Sequence, residues 1–267
     1  TPAQFITTCH GYYSRHFFSR VMGWSKLGIV PSQVIGKHMI ESFRVPVQNI
    51  RLIPRSVDLE KFRIPPQKPP GQSEFVVSII GRITPLKGHA YFLKAMASVI
   101  RTMPFVKIWV IGDTPEQKES YKRELMTLVH RLGLDSHVEF LGNRRNIPEL
   151  LSQTTVVVMA TVTHEAFGRV ILEAQAMGCP VVATRVGGMV DIIEDGVTGL
   201  LVPARDPEFM AEAVLRILKD RKFAERLATA ARNKLEAHFT LNEMATRTLH
   251  VYEELLRSSN ILVIKLS

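Results

Sequence analysis

The strongest constraint on the fold is a regular alternation of short apolar runs with longer amphipathic segments. A short run that is apolar throughout indicates a strand buried on both faces, and strands that alternate with helices form parallel sheets. The clearest runs begin after Glu74, and the predicted strands are Phe75–Ile80, Val106–Gly112, His137–Leu141, Thr155–Ala160, Pro180–Thr184 and Gly199–Val202. We therefore predict an α/β fold with one complete doubly wound domain over residues 73–238.

Helical periodicity and helix-end signals place the remaining elements of this domain. Its predicted helices are Gly88–Thr102, Gln117–Leu132, Pro148–Ser152, Gly168–Gly178, Pro207–Leu218 and Arg221–His238. A further helix, Leu241–Arg257, lies in residues 239–258.

The same alternation occurs on a smaller scale in residues 1–64. Predicted strands there are Gln4–Cys9, Leu27–Pro31 and Ile50–Ile53, and predicted helices are Ser14–Met22 and Gln33–Phe43. Residues 65–72 are rich in proline, which neither a helix interior nor a sheet interior accepts. We interpret them as a linker that follows the end of a second α/β unit.

Composition narrows the class of protein. A hydrophobic content of 46% and a charged content of 22% are typical of a globular chain. No apolar run approaches the roughly 18 residues that span a bilayer. The two cysteines, Cys9 and Cys179, are far apart in the chain, so we expect no disulfide or metal framework and a reducing, cytoplasmic location.

The formal net charge of +9 suggests an acidic partner. The basic residues are dispersed, and no basic-aromatic nucleic-acid motif is present, so no nucleic-acid partner is expected. Three explanations of the positive charge stay open: peripheral contact with an anionic membrane, binding of an anionic acceptor, and a surface that is merely solubilising.

The segment from His164 to Val182 carries the most informative chemistry. Glu165 precedes Ala-Phe-Gly, and the helix that opens after Gly168 carries a second carboxylate, Glu173. Backbone N–H groups at a helix start favour an anion, and so does the helix dipole. A phosphate would contact the amides of Phe167, Gly168, Arg169 and Val170, while Glu173 could accept from a ribose diol and Glu165 could lie over a sugar ring. An ordinary strand–loop–helix unit with solvated glutamates is the alternative.

A second loop, from Gly81 to Gly88, joins a buried strand to a helix. Ligands of open α/β sheets bind beyond the carboxyl ends of the strands, so this loop and the Glu165–Gly168 loop should open on one edge. Arg82 and Lys87 would then lie near the same phosphates as the helix amides. Two anion-favouring loops on one edge indicate a diphosphate site.

Other conspicuous residues have simpler interpretations. His10, at a strand end, is more often a polar loop residue than a catalytic one, and Trp24 and Trp109 are expected in the core or an interface. Gly187-Gly188 and Asp195-Gly196 are predicted turns, and the loop from Val186 to Met189 could flank the ligand.

Read together, these segments resemble the family 4 glycosyltransferases, retaining enzymes of the two-domain GT-B fold. The matching stretches are IPRSVDLEKF, GRITPLKGH, VEFLGN, THEAFGRVILEAQAMGCPVVATRVGGMVDII and EDGVTGLLVP. The resemblance implies that residues 73–238 are the Rossmann-like donor-binding domain and residues 1–64 a remnant of the acceptor-side domain. It also implies that the C-terminal helix of residues 239–258 packs back toward that remnant.

The resemblance also implies roles for individual residues. Arg82 and Lys87 bind the donor diphosphate, Glu165 contacts the donor sugar, Glu173 binds the ribose, and the Phe167–Val170 amides hold phosphate. Gly81 belongs to the donor-binding loop, backbone around Gly142-Asn143 lies near the base, and His10 reaches over the donor sugar from the other domain. No metal or other cofactor is expected, because Arg and Lys supply the charge and no Asp-x-Asp motif is present.

Two departures from the family pattern lead to further expectations. Arg55-Ser56 stands where the family has Asn-Gly or Arg-Gly, so we expect backbone strain or a poorer donor fit there. The chain opens at Thr1 without an initiator Met, and we expect a piece of a longer protein that lacks most of its acceptor lobe.

The tail, residues 259–267, resembles the opening strand of a heptosyltransferase domain of lipopolysaccharide assembly. The alternative is an apolar tail that pairs with a sheet edge.

The resulting hypothesis is transfer of a sugar from a UDP- or GDP-sugar to a glycan or glycolipid of the cell envelope, at the inner face of the cytoplasmic membrane. A nucleotide-sugar-binding module without turnover and a nucleotide-sugar epimerase remain alternatives. A dinucleotide-dependent dehydrogenase is disfavoured, because no Gly-x-Gly-x-x-Gly turn follows a strand with an acidic residue about twenty positions on.

Overall fold

The computed structural model describes residues 4–64, 75–115 and 119–257. Its strands are β1 (Ile6–Thr8), β2 (Leu27–Val30), β3 (Ile50–Leu52), β4 (Val76–Ile80), β5 (Lys107–Ile111), β6 (Val138–Gly142), β7 (Val156–Met159), β8 (Val181–Thr184) and β9 (Leu200–Val202). Its α-helices are α1 (Gln33–Phe43), α2 (His89–Thr102), α3 (Glu119–Arg131), α4 (Ile147–Gln153), α5 (Arg169–Ala176), α6 (Met189–Ile192), α7 (Pro207–Lys219), α8 (Arg221–His238) and α9 (Leu241–Arg257).

A six-stranded sheet forms the centre of the larger lobe. Its order is β6-β5-β4-β7-β8-β9, and every pairing is parallel. Alternate residues of β7 belong to two hydrophobic clusters, because successive side chains of a strand point to opposite faces. One cluster includes residues of α2, α3 and α7, and the other includes residues of α4, α5 and α6. The predicted doubly wound α/β fold is confirmed.

The smaller lobe contains a three-stranded parallel sheet of order β1-β2-β3. Helix α1 packs on one side through Ile35, Met39 and Phe43. Helix α9 packs on the other side, where Val251 and Leu255 lie against residues of β2. The amide of Val57 donates to the carbonyl of Phe239 at 3.0 Å, so the segment after β3 is hydrogen-bonded to the end of α8.

The predicted helix Ser14–Met22 is wrong. A 3-10 helix over Phe18–Gly23 is the only helical turn there. The Ser19 hydroxyl accepts from the amide of His16 at 2.8 Å and donates to the carbonyl of Ser14 at 2.8 Å. Such local side-chain bonds offer the backbone an alternative to the α-helical ladder.

The structure also bears on the two tryptophans and on Ser56. The side chain of Trp24 is 72% exposed, which leaves an interface rather than the core as its predicted place, whereas Trp109, on β5 of the larger lobe, is partly buried against the second cluster of the large sheet. Ser56 is not among the non-glycine residues with positive φ, so the predicted backbone strain is absent there. The predicted linker and the tail, residues 65–72 and 259–267, lie outside the described residues.

Among the helices of residues 4–64, 75–115 and 119–257, none combines the length and the hydropathy that a membrane-crossing segment needs.

Candidate functional site

The candidate site lies at the carboxyl edge of the large sheet, between β4 and β7. The chain leaves β4 toward α2 and β5 on one side, and leaves β7 toward α5 and β8 on the other. Connections that diverge from adjacent parallel strands leave a crevice between their loops, where α/β proteins bind ligands. The two anion-favouring loops predicted from the sequence border this crevice.

The loop after β4 is fastened to its neighbours by backbone hydrogen bonds. Gly81 donates to the carbonyl of Ile111 at 2.9 Å, and Leu86 accepts from the amide of Val162 at 2.9 Å. Gly88 has φ +72°, and a Cβ there would lie 1.9 Å from the carbonyl oxygen of Ala160. This contact at the end of β7 sets the position of Lys87, the residue before Gly88.

Lys87 and Glu165 meet across the crevice. The Lys87 Nζ lies 2.5 Å from the Glu165 Oε2, and the Thr161 hydroxyl donates to the same oxygen at 3.2 Å. The two side chains are 26% and 14% exposed, so solvent screens the ion pair only in part. Arg82 is exposed, and its guanidinium contacts no hydrogen-bonding or ionic partner in the described part of the chain.

The start of α5 presents backbone donors at the same edge. Gly168 precedes the helix with φ +96°, and Ile171 donates to the Gly168 carbonyl at 2.9 Å. Within the described residues, the amides of Arg169 and Val170 donate to no carbonyl or side chain. These N–H groups and the helix dipole are suited to an anion. Phe167 is buried and lies against Phe239, so it anchors the loop through its ring.

Glu173 lies one turn further along α5. Its Oε1 is 3.2 Å from the Arg169 guanidinium, and its side chain is 14% exposed. Burial raises the pKa of Glu173, while the charges of Arg169 and Lys61 oppose that shift. The carboxylate is therefore held in a partly desolvated place beside the helix start.

Gly142 ends β6 and Asn143 follows it, at the same edge of the sheet. Gly142 has φ +66°, and its carbonyl accepts from the amide of Gly112 at 2.9 Å. Asn143 is exposed beyond this turn. These residues lie two strands away from β4, on the side of the crevice away from β7.

The smaller lobe contacts the loop after β7 directly. The Ser32 hydroxyl donates to the Ala166 carbonyl at 2.5 Å, and the Gln33 amide donates to Asp191 Oδ2 at 2.7 Å. Burial raises the pKa of Asp191, and the Gln33 N–H opposes that shift. The sequence did not single out Ser32 or Asp191, because their partners are more than a hundred residues distant in the chain.

His10 has no contact with Lys87 or Glu165 among the described residues. Desolvation lowers the pKa of His10, and the charge of Arg55 lowers it further. Two residues on, the ring of Tyr12 lies 5.2 Å from that of His164, the residue before Glu165. The structure thus brings the segment after β1 to the crevice, and Tyr12 is a contact that sequence reasoning missed.

Gly187 and Gly188, predicted as a turn, lie directly behind the Glu165 loop. A Cβ on Gly187 would lie 2.0 Å from the Glu165 carbonyl oxygen, and one on Gly188 would lie 2.5 Å from that of Ala166. The Gly188 amide donates to the Glu165 carbonyl at 2.9 Å. The adjacent glycines were the only sequence signal of this close backbone contact.

The crevice is bordered by cationic side chains, by the amides at the start of α5 and by two carboxylates. No group of three or more His, Cys, Asp or Glu side chains that could hold a metal ion occurs within residues 4–64, 75–115 and 119–257. Cationic side chains and backbone amides are the groups there that could neutralise phosphate charge.

A model of the family described as "Glycosyl transferases group 1" matches residues 74–220, which contain this whole edge of the sheet. The chain belongs to this family.

Among curated relatives of this group 1 chain, a D-inositol 3-phosphate glycosyltransferase of Saccharomonospora viridis is 31% identical over 238 residues. That match covers 85% of this chain and 55% of the relative, so the chain spans about half the length of that protein.

Solved structures of similar fold extend the comparison. A glycosyltransferase from Rickettsia africae superposes with a TM-score of 0.86 at 25% identity, covering 96% of this chain and 72% of that one. Anabaena HepE in complex with UDP and glucose has a TM-score of 0.82 at 26% identity, covering 94% of this chain and 71% of that one. The architecture of this chain is that of a GT-B glycosyltransferase.

Proposed function

We propose that the protein transfers a sugar from a nucleoside diphosphate donor to a hydroxyl of an acceptor, as a retaining member of glycosyltransferase family 4. The observation that carries the proposal is the contact of Lys87 with Glu165 at the edge where α5 presents its amides. Cation, carboxylate and helix start are adjacent, as a phosphorylated sugar requires.

Each predicted site residue has a role in this proposal. The diphosphate binds Arg82, Lys87 and the amides near Gly168, and Gly81 shapes the loop that carries the two cations. Glu173 accepts from the ribose, and the turn at Gly142-Asn143 contacts the base. Glu165 contacts the donor sugar, and His10 approaches it from the smaller lobe.

The proposed chemistry depends on charge that develops at the leaving group. When the bond between the anomeric carbon and the phosphate oxygen breaks, the nucleoside diphosphate gains negative charge. Cations and amides that are already oriented stabilise this charge more than they stabilise the bound donor, so they lower the barrier. We propose that Arg82 and Lys87 perform this role without a metal ion.

For the donor we propose a UDP- or GDP-sugar. The complex of HepE with UDP and glucose supports UDP as the first nucleotide to test. For the acceptor we propose a glycan or glycolipid of the cell envelope, as in lipopolysaccharide synthesis, at the cytoplasmic face of the membrane. The net charge of +9 supports an anionic acceptor or membrane surface.

The experiment that tests the donor site is titration calorimetry with UDP and GDP, on the intact chain and on Lys87→Ala. We expect binding of one nucleotide and a large loss of affinity in the variant. Lys222→Ala, an exposed lysine of α8, is the control. Equal affinity in all three proteins would contradict the proposed diphosphate site.

Product analysis with the bound donor separates the activity from its alternatives. Transfer to an added acceptor or slow release of free sugar indicates a transferase. Conversion of the free donor into its epimer indicates an epimerase. Binding without any turnover indicates a nucleotide-sugar-binding module, which is the second candidate because the chain spans about half of its curated relative.

A further inference from the structure

A basic and aromatic surface lies on the smaller lobe and includes none of the groups assigned to the donor. The segment 12–26 contains no Asp or Glu, and it carries Arg15, His16, Arg20 and Lys26. Three large side chains of this segment project into solvent, at exposures of 77% for Phe17, 80% for Phe18 and 72% for Trp24. Exposed aromatic rings of this size, grouped in one segment, indicate an interaction site.

Three arginines surround a shallow cavity at this surface. The cavity has a volume of about 310 Å³ and is lined by Arg15, Arg20, Gly23, Trp24, Phe43 and Arg44. In the described part of the chain, none of the three guanidinium groups forms an ion pair or a side-chain hydrogen bond. Their charges are therefore available to an external anion. We call Arg15, Phe17, Phe18, Arg20, Trp24 and Arg44 the arginine–aromatic surface.

The backbone beneath this surface is closely packed. A Cβ on Gly23 would lie 2.6 Å from the carbonyl oxygen of Phe43, so the 3-10 helix of Phe18–Gly23 lies directly against the end of α1. Met22 packs on the cluster that contains Met39 and Phe43. Arg44 follows α1 in the left-handed conformation, at φ +60°. The exposed side chains therefore project from a fixed platform.

We propose that the arginine–aromatic surface binds the surface of an anionic lipid bilayer. Guanidinium groups pair with lipid phosphates, and aromatic side chains are favoured at the boundary between headgroups and acyl chains. Each basic residue near an anionic leaflet adds to the attraction. The rings of Phe17 and Phe18 pack edge to face on each other, with their centroids 5.5 Å apart. In single-stranded nucleic-acid sites, aromatic rings are instead free to stack on bases, so this pair favours a bilayer over a nucleic acid.

The proposed surface is joined to the crevice by a short length of chain. Tyr12, which contacts His164, precedes Arg15 by three residues. A bilayer bound at Arg15 and Phe17 would thus lie beside the smaller lobe's approach to the donor. A bilayer in this position would bring a lipid-linked acceptor to the crevice. That role rests on the proposed transferase function, whereas lipid binding itself does not.

Co-sedimentation with vesicles tests the proposal directly. The intact chain is mixed with vesicles of phosphatidylcholine alone, or of phosphatidylcholine with phosphatidylglycerol. We expect binding to the anionic vesicles that weakens with added salt. Arg15→Gln/Arg20→Gln/Arg44→Gln should bind roughly a hundredfold more weakly, because three arginine contacts at an anionic leaflet are lost. Phe17→Ser/Phe18→Ser should also bind more weakly.

Matched controls lie on the larger lobe. Arg101→Gln/Arg123→Gln/Arg131→Gln removes the same charge from exposed arginines of α2 and α3, and Phe209→Ser removes a ring that is 55% exposed. Both controls should bind vesicles nearly as the parent does. Equal losses in test and control variants would overturn the proposal, and so would equal binding to neutral and anionic vesicles.

Sedimentation velocity without lipid tests whether a second copy of the chain, instead of a bilayer, binds the arginine–aromatic surface. Self-association that Phe17→Ser/Phe18→Ser abolishes, together with absence of vesicle binding, would overturn the membrane assignment. Thermal shift with UDP or GDP is measured on every variant. A variant that loses vesicle binding but keeps the thermal shift with UDP or GDP shows that the lipid site and the nucleotide site are independent. Failure of the membrane proposal can therefore be told apart from failure of the proposed donor site.

Discussion

The Lys87 ammonium lies 2.5 Å from the Glu165 carboxylate, although 78 positions separate the two residues in the chain. Each belongs to a loop that follows one of two adjacent parallel strands, β4 and β7. The contact places one cation beside a carboxylate in the loop that leads into α5. In the proposed donor complex, Lys87 would bind both Glu165 and phosphate.

Replacement of Lys87 should reduce turnover by orders of magnitude, because it removes a cation that we propose stabilises the leaving group. Lys87→Arg should retain part of the activity, since charge is kept and geometry changes. Turnover with saturating donor measures the effect, and circular dichroism checks the fold. Near-normal turnover of Lys87→Ala would remove Lys87 from the proposed mechanism.

Replacement of Glu165 should also lower turnover by orders of magnitude while leaving nucleotide affinity largely intact, because Glu165 is assigned to the sugar. Glu165→Gln is the sharper variant, since it keeps the size and an acceptor for the Thr161 hydroxyl. Calorimetry with UDP and with the UDP-sugar separates the two contacts. A loss of UDP affinity as large as that of Lys87→Ala would contradict this assignment.

Gly187→Ala should impair donor binding. Its Cβ would lie 2.0 Å from the Glu165 carbonyl oxygen, so the loop that carries Glu165 must move. Gly196→Ala is the control, because Gly196 also has positive φ and a Cβ there meets nothing within 4 Å. Both variants share a backbone cost of roughly 1–2 kcal/mol. Thermal unfolding should therefore show a larger loss of stability for Gly187→Ala than for Gly196→Ala, and only Gly187→Ala should lose nucleotide affinity.

Contact between the lobes should affect catalysis through Ser32 and Asp191. Ser32→Ala removes the bond to the Ala166 carbonyl in the Glu165 loop, and Asp191→Ala removes the acceptor of the Gln33 amide, so both variants weaken the contact between the lobes. We expect a several-fold rise in KM for the donor, with a smaller change in kcat. Ser42→Ala, whose hydroxyl bonds only to His38 within α1, is the control and should leave KM unchanged.

Acid should destabilise the protein through His89. Burial lowers the pKa of His89 to about 4, the charge of Lys87 acts in the same direction, and neither ring nitrogen has a hydrogen-bond partner of normal geometry. The unfolded chain takes up this proton near pH 6.5 and the folded chain only near pH 4. Stability is therefore lost as pH falls between these values, by roughly 3 kcal/mol.

Urea unfolding at several pH values measures this loss. The free energy of unfolding of His89→Leu should depend less on pH than that of the parent, while the exposed His250→Leu should follow the parent. An identical slope in all three proteins would show that His89 does not contribute.

Local pattern predicted the larger lobe well because four of its strands, β4, β7, β8 and β9, are buried on both faces. In Val76–Ile80, for example, every residue is buried, and a helix such as α2 has a clear apolar stripe. The predicted helix after Tyr13 failed because its apolar residues do not face a core. Phe17 and Phe18 are exposed, and Ser19 bonds to the backbone instead. Periodicity alone does not distinguish a stripe that is buried from one that is not.

The amino-acid sequence by itself determined the α/β class, the buried strands and the loops that bear Arg82, Lys87 and Glu165, because these follow from periodicity and local backbone chemistry. Only the tertiary structure decided which groups meet. The contacts of Gly187 with the Glu165 loop and of Ser32 with Ala166 join residues from different crossovers and different lobes. Such contacts arise from the order in which strands pair, and no local preference encodes that order.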